Sequence, residues 1–273
     1  MSKPRVSIII VSYNSGRDID VALEALTRPV PTVSHEILVV DNASTDGTPA
    51  VLRATWPDIF VIDTGANLGF AKANNRGVRA TSGELVLLLN PDTRVSPGAV
   101  DRLVAHLDER PDVAVVGPRI VDGRGRAELS FGSMISPLAE LRQKVLVSGN
   151  DRGLPIVVRA VDRMTRRSQE VDWVSGACLL IRRADLEAVG LLDERFFMYT
   201  EDVDLCASVR ARGRKVLFAA GVQIEHFRGR SATATTRAAY RRSQLAFYEK
   251  HHPAWAPVLR VYLQIRGERP DNS

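Results

Sequence analysis

Three largely apolar runs near the start of the chain each stop at a cluster of polar residues. The runs cover residues 6–11, 36–40 and 85–89. The clusters that follow them are Ser12-Tyr13-Asn14, Asp41-Asn42 and Asn90-Pro91-Asp92. Strands that are apolar on both faces are typical of a parallel sheet covered by helices, and ligands of such sheets bind beyond the carboxyl ends of the strands. The pattern therefore predicts a site at one sheet edge, with polar groups suited to a nucleotide and its metal.

Helical segments separate these predicted strands over residues 1–121. Two of the helices have a clear start signal, Thr48 before Pro49 and Ser96 before Pro97. Helices are predicted at 18–26, 50–54, 70–80 and after Ser96, and further strands at 60–62 and from 113. This alternation predicts an α/β fold with a doubly wound, mostly parallel central sheet and helices on both faces.

The alternation breaks down over residues 122–170, which are rich in Gly, Arg and Ser. A segment this long without periodicity is typical of a functional loop or of disorder, so we predict an irregular region here. Beyond it we predict an apolar run at 171–181, helices at 184–189, 201–210 and 236–251, and strands at 215–218 and 222–226. The predicted organisation is one domain over 1–231, with a nucleotide-binding half at 1–121 and an acceptor or catalytic half at 171–231, and a helical extension at 232–273.

Composition and charge narrow the class of protein only a little. The 273 residues carry 37 Lys and Arg against 32 Asp and Glu, a formal net charge of +5, which suits an anionic ligand or membrane surface. No nucleic-acid recognition motif accompanies the basic residues, so nucleic acid is not an expected partner. Cys178 and Cys206 lack CxxC or metal-ligand spacing and are predicted to be core thiols in a reducing compartment.

The ends and the hydropathy of the chain bear on its location. The N-terminus leads almost directly into the first predicted strand, which leaves no room for a signal peptide. No apolar run approaches the roughly 20 residues needed to cross a bilayer. We therefore expect a cytoplasmic protein that could rest against the inner face of the cell membrane.

Two common nucleotide-binding patterns are missing after the first predicted strand. A dinucleotide fold would have G-x-G-x-x-G and a P-loop would have a Lys, whereas this chain has Ser12-Tyr13-Asn14-Ser15-Gly16. Asp41 is therefore predicted to hydrogen-bond a base or ribose, with an Asx turn as the alternative. Asp92 is placed to hold a divalent cation that bridges diphosphate oxygens, with a simple Asn-Pro-Asp turn as the alternative.

Six short motifs occur in order between about residue 5 and residue 231. They are Val11-Ser12-Tyr13-Asn14, Val39-Val40-Asp41-Asn42-Ala43-Ser44-Thr45-Asp46-Gly47, Asn67-Leu68-Gly69-Phe70-Ala71-Lys72-Ala73-Asn74-Asn75, Asn90-Pro91-Asp92, Trp173-Val174-Ser175-Gly176-Ala177 and Tyr199-Thr200-Glu201-Asp202-Val203-Asp204-Leu205. Together they resemble the inverting glycosyltransferases of family 2, which use nucleotide-diphospho-sugars on a GT-A fold. The variants at 67–70 and 90–92 are similar to those of bacterial rhamnosyltransferases that use dTDP-rhamnose.

The resemblance implies a role for each matching residue. Asp202 would be the general base that takes the proton of the acceptor hydroxyl, and Glu201 would orient the acceptor or support the base. Asp92 and His226 would hold Mg²⁺ or Mn²⁺, although Asn90 stands where the family's DxD motif has its first carboxylate. The residues implied in nucleotide-sugar binding are Ser12, Tyr13, Asn14, Asp41, Asn67, Gly69, Asn90, Trp173, Gly176, Ala177, Arg228, Arg230 and Ser231.

Several of the implied binding roles are specific. Tyr13 and Asp41 would flank the pyrimidine and ribose, and Gly69 would let the nucleotide approach the backbone closely. Trp173 would form part of the wall where the sugar meets the acceptor. The segment with Arg228, Arg230 and Ser231 would close over the diphosphate.

Structural interpretations of some of these residues stay open. Glu201 and Asp202 begin a predicted helix, where carboxylates are stabilising in any case. His226 could be a hydrogen-bonded residue at a strand end, and Trp173 could be a core residue. The basic cluster at 163–167 and the apolar C-terminal segment at 255–263 could touch an anionic membrane, or could be a solvated loop and a packed helix.

Together these observations predict a metal-dependent, inverting glycosyltransferase that moves rhamnose from dTDP-rhamnose to a hydroxyl of a cell-envelope glycan or lipid-linked sugar. A UDP-hexose donor is the alternative within the same class. A nucleotidyltransferase that makes nucleotide-sugars is a second class, but it would want a Gly-rich basic loop after the first strand. A non-catalytic sugar-nucleotide-binding protein is a third, and the presence of Asp202 argues against it.

Overall fold

The computed structural model describes residues 3–227 and 234–266. The strands are β1 (Val6–Ser12), β2 (His35–Asp41), β3 (Phe60–Asp63), β4 (Leu85–Leu89), β5 (Thr93–Val95), β6 (Val113–Asp122), β7 (Phe131–Gly132), β8 (Gln169–Val171), β9 (Trp173–Val174), β10 (Cys178–Arg182) and β11 (Lys215–His226). The helices are α1 (Gly16–Thr27), α2 (Thr48–Thr55), α3 (Phe70–Ala80), α4 (Ala99–Glu109), α5 (Pro137–Asp151), α6 (Pro155–Met164), α7 (Arg183–Ala188), α8 (Glu201–Ala211), α9 (Ala234–His251) and α10 (Ala256–Ile265). Strand β4 and helix α3 have the bounds predicted from the sequence.

Nine strands form one mixed sheet in the order β3-β2-β1-β4-β10-β6-β11-β5, with β8 also paired to β11. The first four strands of this order are parallel, as predicted. Strand β10 lies antiparallel between β4 and β6, and β5 and β8 run antiparallel to β11. The α/β prediction is therefore confirmed. The antiparallel pairs of this sheet all involve β10 or β11, and β11 also pairs in parallel with β6.

Both faces of the sheet are buried because helices cover each of them. In β1, Ile8 and Ile10 belong to an apolar cluster shared with α1 and α4, whereas Ile9 belongs to a second cluster shared with α3 and α8. Full burial of an aliphatic side chain of this size stabilises a fold by about 1.5–3 kcal/mol. The cysteines, Cys178 and Cys206, are buried free thiols, as predicted, and burial raises the pKa of each to about 12.

Residues 122–170 are more regular than predicted, because α5 and α6 lie within them. Ser136 caps α5, since its Oγ accepts a hydrogen bond from the N–H of Ala139 at 3.4 Å, and Pro137 is the first helical residue. Pro155 is likewise the first residue of α6. The prediction of an irregular region is wrong over these two helices.

Three boundaries also differ from the prediction. Thr48 and Ser96 are not N-caps; the residues before α2 and α4 are Gly47 at φ +84° and Gly98 at φ +70°. The two strands predicted at 215–218 and 222–226 are the single strand β11, which is irregular where it passes from Ala219 to Gln223.

Helices α9 and α10 pack against the segment that leads into α8. Phe247 of α9 and Ala256 of α10 join Phe196 and Val203 in a third apolar cluster. The predicted domain boundary at residue 231 stays a prediction. Within the described ranges, every helix is too short or too polar to span a bilayer.

Candidate functional site

The carboxyl ends of the central strands form one edge of the sheet, and the pairing of the strands fixes which residues meet there. Ser12 at the end of β1 pairs with Asp41 at the end of β2. Leu89 at the end of β4 pairs with Ile10 on one side and with Cys178, the first residue of β10, on the other. The loop after β4 and the loop before β10 therefore lie at the same edge as Ser12 and Asp41.

Two buried polar atoms at this edge have no hydrogen-bond partner in the described part of the chain. They are Ser12 Oγ and Asp41 Oδ1. The other carboxylate oxygen, Asp41 Oδ2, accepts from the Ser44 N–H at 2.9 Å, so the Asx turn forms as well. An unsatisfied buried polar atom costs about 1–3 kcal/mol, and two of them side by side indicate a place for a ligand with a donor, such as the ring N–H of a pyrimidine.

Tyr13 and Asn14 follow Ser12 but are used differently. Asn14 Oδ1 accepts from the Thr45 N–H at 2.8 Å, and the Asn14 N–H donates to Ser44 Oγ at 2.8 Å. Asn14 thus holds the loop after β2 in place. Tyr13 is 48% exposed beside it, so its ring is accessible to a nucleotide base, as its predicted role requires.

Asn42 fixes the turn that contains Asn67 and Gly69. Its Nδ2 donates to Asn67 Oδ1 at 2.9 Å, and its Oδ1 accepts from the Leu68 N–H at 2.8 Å. Asn67 Oδ1 also accepts from the Gly69 N–H at 3.1 Å. The sequence assigns no role to Asn42, although its place directly after a buried strand is the same signal that identifies Asp41.

Gly69 is required by the protein itself. Its φ is +81°, and a Cβ at this position would lie 2.4 Å from the carbonyl oxygen of Phe197. The same oxygen accepts from the Phe70 N–H at 2.6 Å. The close approach that the sequence attributes to a nucleotide is therefore made, in this structure, by the segment before α8.

His226 lies between two carboxylates. Its Nε2 is 3.2 Å from Asp92 Oδ1, and its Nδ1 is 3.5 Å from Glu128 Oε2. Burial alone lowers the pKa of His226, but Asp92 and Glu128 outweigh it and raise the pKa to about 9. The arrangement marks a place where positive charge is stabilised. The sequence does not point to Glu128, because it follows no apolar strand and belongs to none of the six motifs.

Asp92 and His226 fit a divalent cation as two of its ligands. Neighbouring ligands of an octahedral cation with bonds of about 2.1 Å stand about 3 Å apart, close to the observed separation of Asp92 Oδ1 and His226 Nε2. Glu128 faces the other ring nitrogen, where metal-binding histidines commonly have a carboxylate partner. Among the described residues, no group of three or more His, Cys, Asp or Glu is arranged to hold a metal ion.

Asp202 is held by backbone donors at the start of α8. Its Oδ2 accepts from the Gly176 N–H and its Oδ1 from the Val203 N–H, both at 2.8 Å. Burial raises the pKa of Asp202, and these two hydrogen bonds partly offset that effect. A carboxylate with a raised pKa is a stronger base once ionised, which suits proton abstraction.

The turn before Asp202 is strained. Tyr199 and Thr200 have φ values of +70° and +73°, which cost non-glycine residues about 1–3 kcal/mol each. Helix α9 supports this turn, because Ser243 Oγ donates to the Met198 carbonyl at 2.7 Å and the Tyr240 ring contacts the Tyr199 ring edge-on. Such strain is concentrated at functional sites, where the surrounding structure maintains it.

Gly176, Ala177 and Asn90 connect Asp202 to the loop after β4. The Asn90 N–H donates to the Ala177 carbonyl at 2.9 Å, and the neighbouring residue is Gly176, which binds Asp202. A Cβ on Gly176 would lie 3.2 Å from the Asp202 Cβ, so a larger residue would press on the carboxylate. The structure thus brings these three predicted binding residues to Asp202.

The remaining predicted residues fall into two groups. Trp173 is partly buried against the second and third apolar clusters, and its indole N–H donates to the Ser133 carbonyl at 2.9 Å. Arg228, Arg230 and Ser231 lie outside the described residues.

Comparison with known sequences gives a consistent result. The family model described as glycosyl transferase family 2 matches residues 7–190. A Mycobacterium tuberculosis protein, N-acetylglucosaminyl-diphospho-decaprenol L-rhamnosyltransferase, is 31% identical over 95% of this chain and 92% of its own length. The low-salt glycan biosynthesis hexosyltransferase Agl10 of Haloferax volcanii is 30% identical over 75% of this chain and 61% of its own.

A similar fold occurs in a solved structure. The mannosyltransferase PcManGT of Pyrobaculum calidifontis, in complex with GDP-Man and Mn²⁺, superposes with a TM-score of 0.62 over 95% of this chain and 69% of that one. The sequences are 20% identical, so this likeness bears on the fold, which is the GT-A fold.

Proposed function

The chain belongs to glycosyltransferase family 2, and on that premise we propose that it transfers rhamnose from dTDP-rhamnose to a hydroxyl of a lipid-linked sugar, with inversion at the anomeric carbon. The observation that carries the proposal is the convergence of Ser12, Asp41, the 90–92 loop and the Gly176–Asp202 pair on one sheet edge. A donor pocket and a base are both needed for single displacement, and here they lie at the same edge.

Ser12 and Asp41 bind the base of the donor. Of their unpartnered atoms, Asp41 Oδ1 can accept from the ring N–H of thymine or uracil, and the Ser12 hydroxyl can donate to a ring carbonyl. Asn42 fixes the adjacent turn through its hydrogen bonds to Asn67 and Leu68. Tyr13 covers one face of the base from its exposed position.

Asp92 and His226 hold Mg²⁺ or Mn²⁺. When bound, the cation neutralises the diphosphate oxygens and so makes the nucleotide a better leaving group. Asn90, which replaces a carboxylate, fixes the loop through its backbone contact with Ala177. Glu128 keeps the His226 ring oriented towards Asp92.

Asp202 takes the proton of the attacking acceptor hydroxyl. Gly176 and Val203 fix both of its oxygens through backbone N–H groups, so the carboxylate does not need to rotate before reaction. Attack from the face opposite the departing diphosphate inverts the anomeric carbon without a covalent intermediate. Glu201 is buried beside it, and burial together with the charge of Asp202 raises the pKa of Glu201 well above the usual range.

The identity of the sugar and of the acceptor is inferred from a relative that matches almost end to end. The name of the M. tuberculosis protein specifies an L-rhamnosyl group and an N-acetylglucosaminyl-diphospho-decaprenol acceptor. Identity of 31% over 95% of the chain supports the same type of donor and acceptor here. Family membership favours this reaction over nucleotidyl transfer.

The proposal is tested with purified protein, Mn²⁺, a short-chain polyprenyl-diphospho-N-acetylglucosamine acceptor and a panel of dTDP- and UDP-sugars. We expect transfer from dTDP-rhamnose, and loss of about 10²–10⁴-fold in kcat for Asp202→Asn with unchanged dTDP affinity by calorimetry. Asp58→Asn is the control, since Asp58 is exposed just before β3, at the opposite edge of the sheet, and the chemical change is the same.

Each other outcome changes a specific part of the proposal. Transfer from a UDP-hexose alone would replace the donor and keep the site. Normal turnover by Asp202→Asn would remove Asp202 as the base. Binding of dTDP without transfer of any sugar in the panel would identify a non-catalytic sugar-nucleotide-binding protein.

A further inference from the structure

Two helices remote from the sheet edge expose apolar side chains to solvent. Of the 15 large hydrophobic residues that are exposed in the described chain, ten lie in the two segments 138–156 and 255–265. On α5 they include Leu138, Leu141 and Val145, spaced by three and four residues as along one helix face. Monomeric proteins rarely leave such groups of apolar side chains uncovered without a partner.

Helix α10 is apolar on both sides. Ala256 and Leu263 are buried on the side towards α9, whereas Val258, Tyr262 and Ile265 are exposed, Ile265 to 81%. A helix that is hydrophobic all round is normally covered on both sides. In the described structure nothing covers the outer side of α10.

Helices α5 and α10 lie on the same supporting helix, α9. Glu140 of α5 accepts hydrogen bonds from Gln244 and Tyr248 of α9, and Arg260 of α10 forms an ion pair with Glu249. We define the α5–α10 face as the exposed residues Leu138, Leu141, Val145, Val258, Tyr262 and Ile265.

The positive charge of the protein is concentrated around this face. Residues 137–167 contain seven Lys and Arg against three Asp and Glu, and residues 252–266 contain two Arg and no Asp or Glu. These segments carry net charges of +4 and +2, whereas the rest of the chain has 28 basic and 29 acidic residues, a net charge of −1. The whole basic excess therefore accompanies the exposed apolar side chains.

We propose that the α5–α10 face docks on an anionic lipid surface, with its apolar side chains in the interface and the surrounding Lys and Arg on the lipid headgroups. Apolar residues beside a cationic rim are the composition of interfacial helices. An exposed Trp255 and Tyr262 add the aromatic residues favoured at that depth. This inference rests on the proposed function in one respect, the purpose of docking, which is to bring the enzyme to a lipid-linked acceptor.

A second copy of the chain is a weaker candidate for the same face. A two-fold dimer would place each patch against its own equivalent, so two positively charged segments would meet. Like charges opposed across an interface disfavour association, whereas anionic lipids are attracted to the same charges.

The face is also placed to serve the catalytic base. Phe247 of α9, which supports the face, belongs to the same apolar cluster as Val203, the residue after Asp202. Asp204 of the same helix as the base binds Lys250 Nζ at 2.8 Å. Helix α9 therefore links α10 and the proposed lipid surface to the helix that carries Asp202.

The test is co-sedimentation of the full chain with vesicles of phosphatidylglycerol and phosphatidylcholine, and with phosphatidylcholine alone. We expect the wild type to bind the anionic vesicles. The affinity should fall at least about tenfold in the combined variant Leu141→Ser, Val145→Ser, Val258→Ser, Tyr262→Ser. It should fall about fivefold for each charge removed in Arg159→Gln and Arg163→Gln. Val51→Ser with Phe60→Ser is the control, because both are exposed apolar residues of α2 and β3.

Parallel assays separate this inference from the proposed function. Thermal unfolding verifies that the combined variant is folded, and transfer to a short water-soluble acceptor should be unchanged in it. Equal vesicle binding by the variant and the wild type would overturn the docking face, as would a dimer in light scattering that the same substitutions dissociate without any vesicle binding. Specific vesicle binding in a protein that transfers no sugar would support the face and overturn the function.

Discussion

Glu201 is an unusual carboxyl group beside Asp202. It is buried, its Oε2 has no hydrogen-bond partner in the described structure, and burial together with the charge of Asp202 raises its pKa well above the usual range. The protonated form therefore prevails in the folded state at pH values where an unfolded Glu is ionised. This difference between the two states links stability to pH.

Replacing Glu201 with Gln should make the protein less sensitive to alkaline pH. The folded state binds one more proton than the unfolded state above the ordinary Glu pKa of 4.5, so the stability of the wild type falls as pH rises from there towards the raised pKa. Gln has the shape of the neutral acid and no proton to lose. Thermal unfolding between pH 5 and pH 8 should show a difference in Tm, in favour of Glu201→Gln, that widens with pH.

The matched control is Glu24→Gln on α1, where the side chain is 63% exposed and pairs only loosely with Arg28 at 3.7 Å. Its Tm should follow the wild type at every pH. A constant offset between Glu201→Gln and the wild type across the range would show that Glu201 is ionised in the folded protein at pH 5.

At the scale of single residues, the sequence identifies polar side chains at strand ends, but not the residues that contact and position those side chains. Ser12, Asp41 and Asp92 follow buried strands, and this signal is local and readable. Glu128 reaches His226 from a segment with no periodicity, and Gly176 reaches Asp202 across 26 positions. Contacts of this kind depend on tertiary packing, to which a single sequence gives no direct access.

At the scale of elements, the joint between α3 and the segment before α8 gives a sharp prediction. Gly69→Ala should lower the free energy of unfolding by about 3 kcal/mol or more, because the new Cβ meets both the left-handed backbone at φ +81° and the Phe197 carbonyl at 2.4 Å. Chemical denaturation measures the change. Displacement of Phe197 would also disturb the turn that presents Asp202, so kcat should fall in the same variant.

Gly98→Ala, just before α4, measures the loss of stability that comes from a positive φ alone. Gly98 has a similar φ of +70°, but its nearest neighbour is the mobile end of Arg102, at 3.1 Å. This variant should lose only about 1–2 kcal/mol and no activity. Equal losses in the two variants would mean that Phe197 yields easily and that the joint is not tightly packed.

Elements whose apolar residues all face the core are predicted more accurately than elements with apolar residues on both sides. Strand β4 is fully buried and helix α3 buries one side, so the periodicity of each is undisturbed and their bounds were predicted correctly. Helix α5 has apolar residues on both sides, Leu146 inward and Leu141 outward, which blurs the helical period. The start signals Ser136-Pro137 and Leu154-Pro155 were the only local indications of α5 and α6.

At the scale of the whole molecule, β10 joins the two halves of the site. Because it lies antiparallel between β4 and β6, its first residue is at the edge where β4 ends. The loop before β10, which carries Gly176, therefore meets the 90–92 loop, although the two are far apart in sequence. If β10 ran parallel to β4, its start would lie at the opposite edge of the sheet.

This architecture predicts that nucleotide and metal stabilise the protein together. With a dTDP concentration 100 times its Kd and Mn²⁺ present, the stabilisation is about 2.7 kcal/mol. For a chain of this size that corresponds to a rise in Tm of about 5–10 °C. Removal of the metal with EDTA should abolish most of the rise, because the Asp92 carboxylate repels the diphosphate unless a cation lies between them.

Thymidine separates the two halves of the donor site in the same thermal-shift experiment. It lacks the diphosphate and fills only the pocket at Ser12 and Asp41, so its smaller shift should be the same with and without EDTA and should disappear in Asp41→Ala. Asp92→Asn should reproduce the effect of EDTA on dTDP and leave the thymidine shift intact. A dTDP shift that survives both EDTA and Asp92→Asn would place the diphosphate on protein groups alone, and the site would then have to work without a metal.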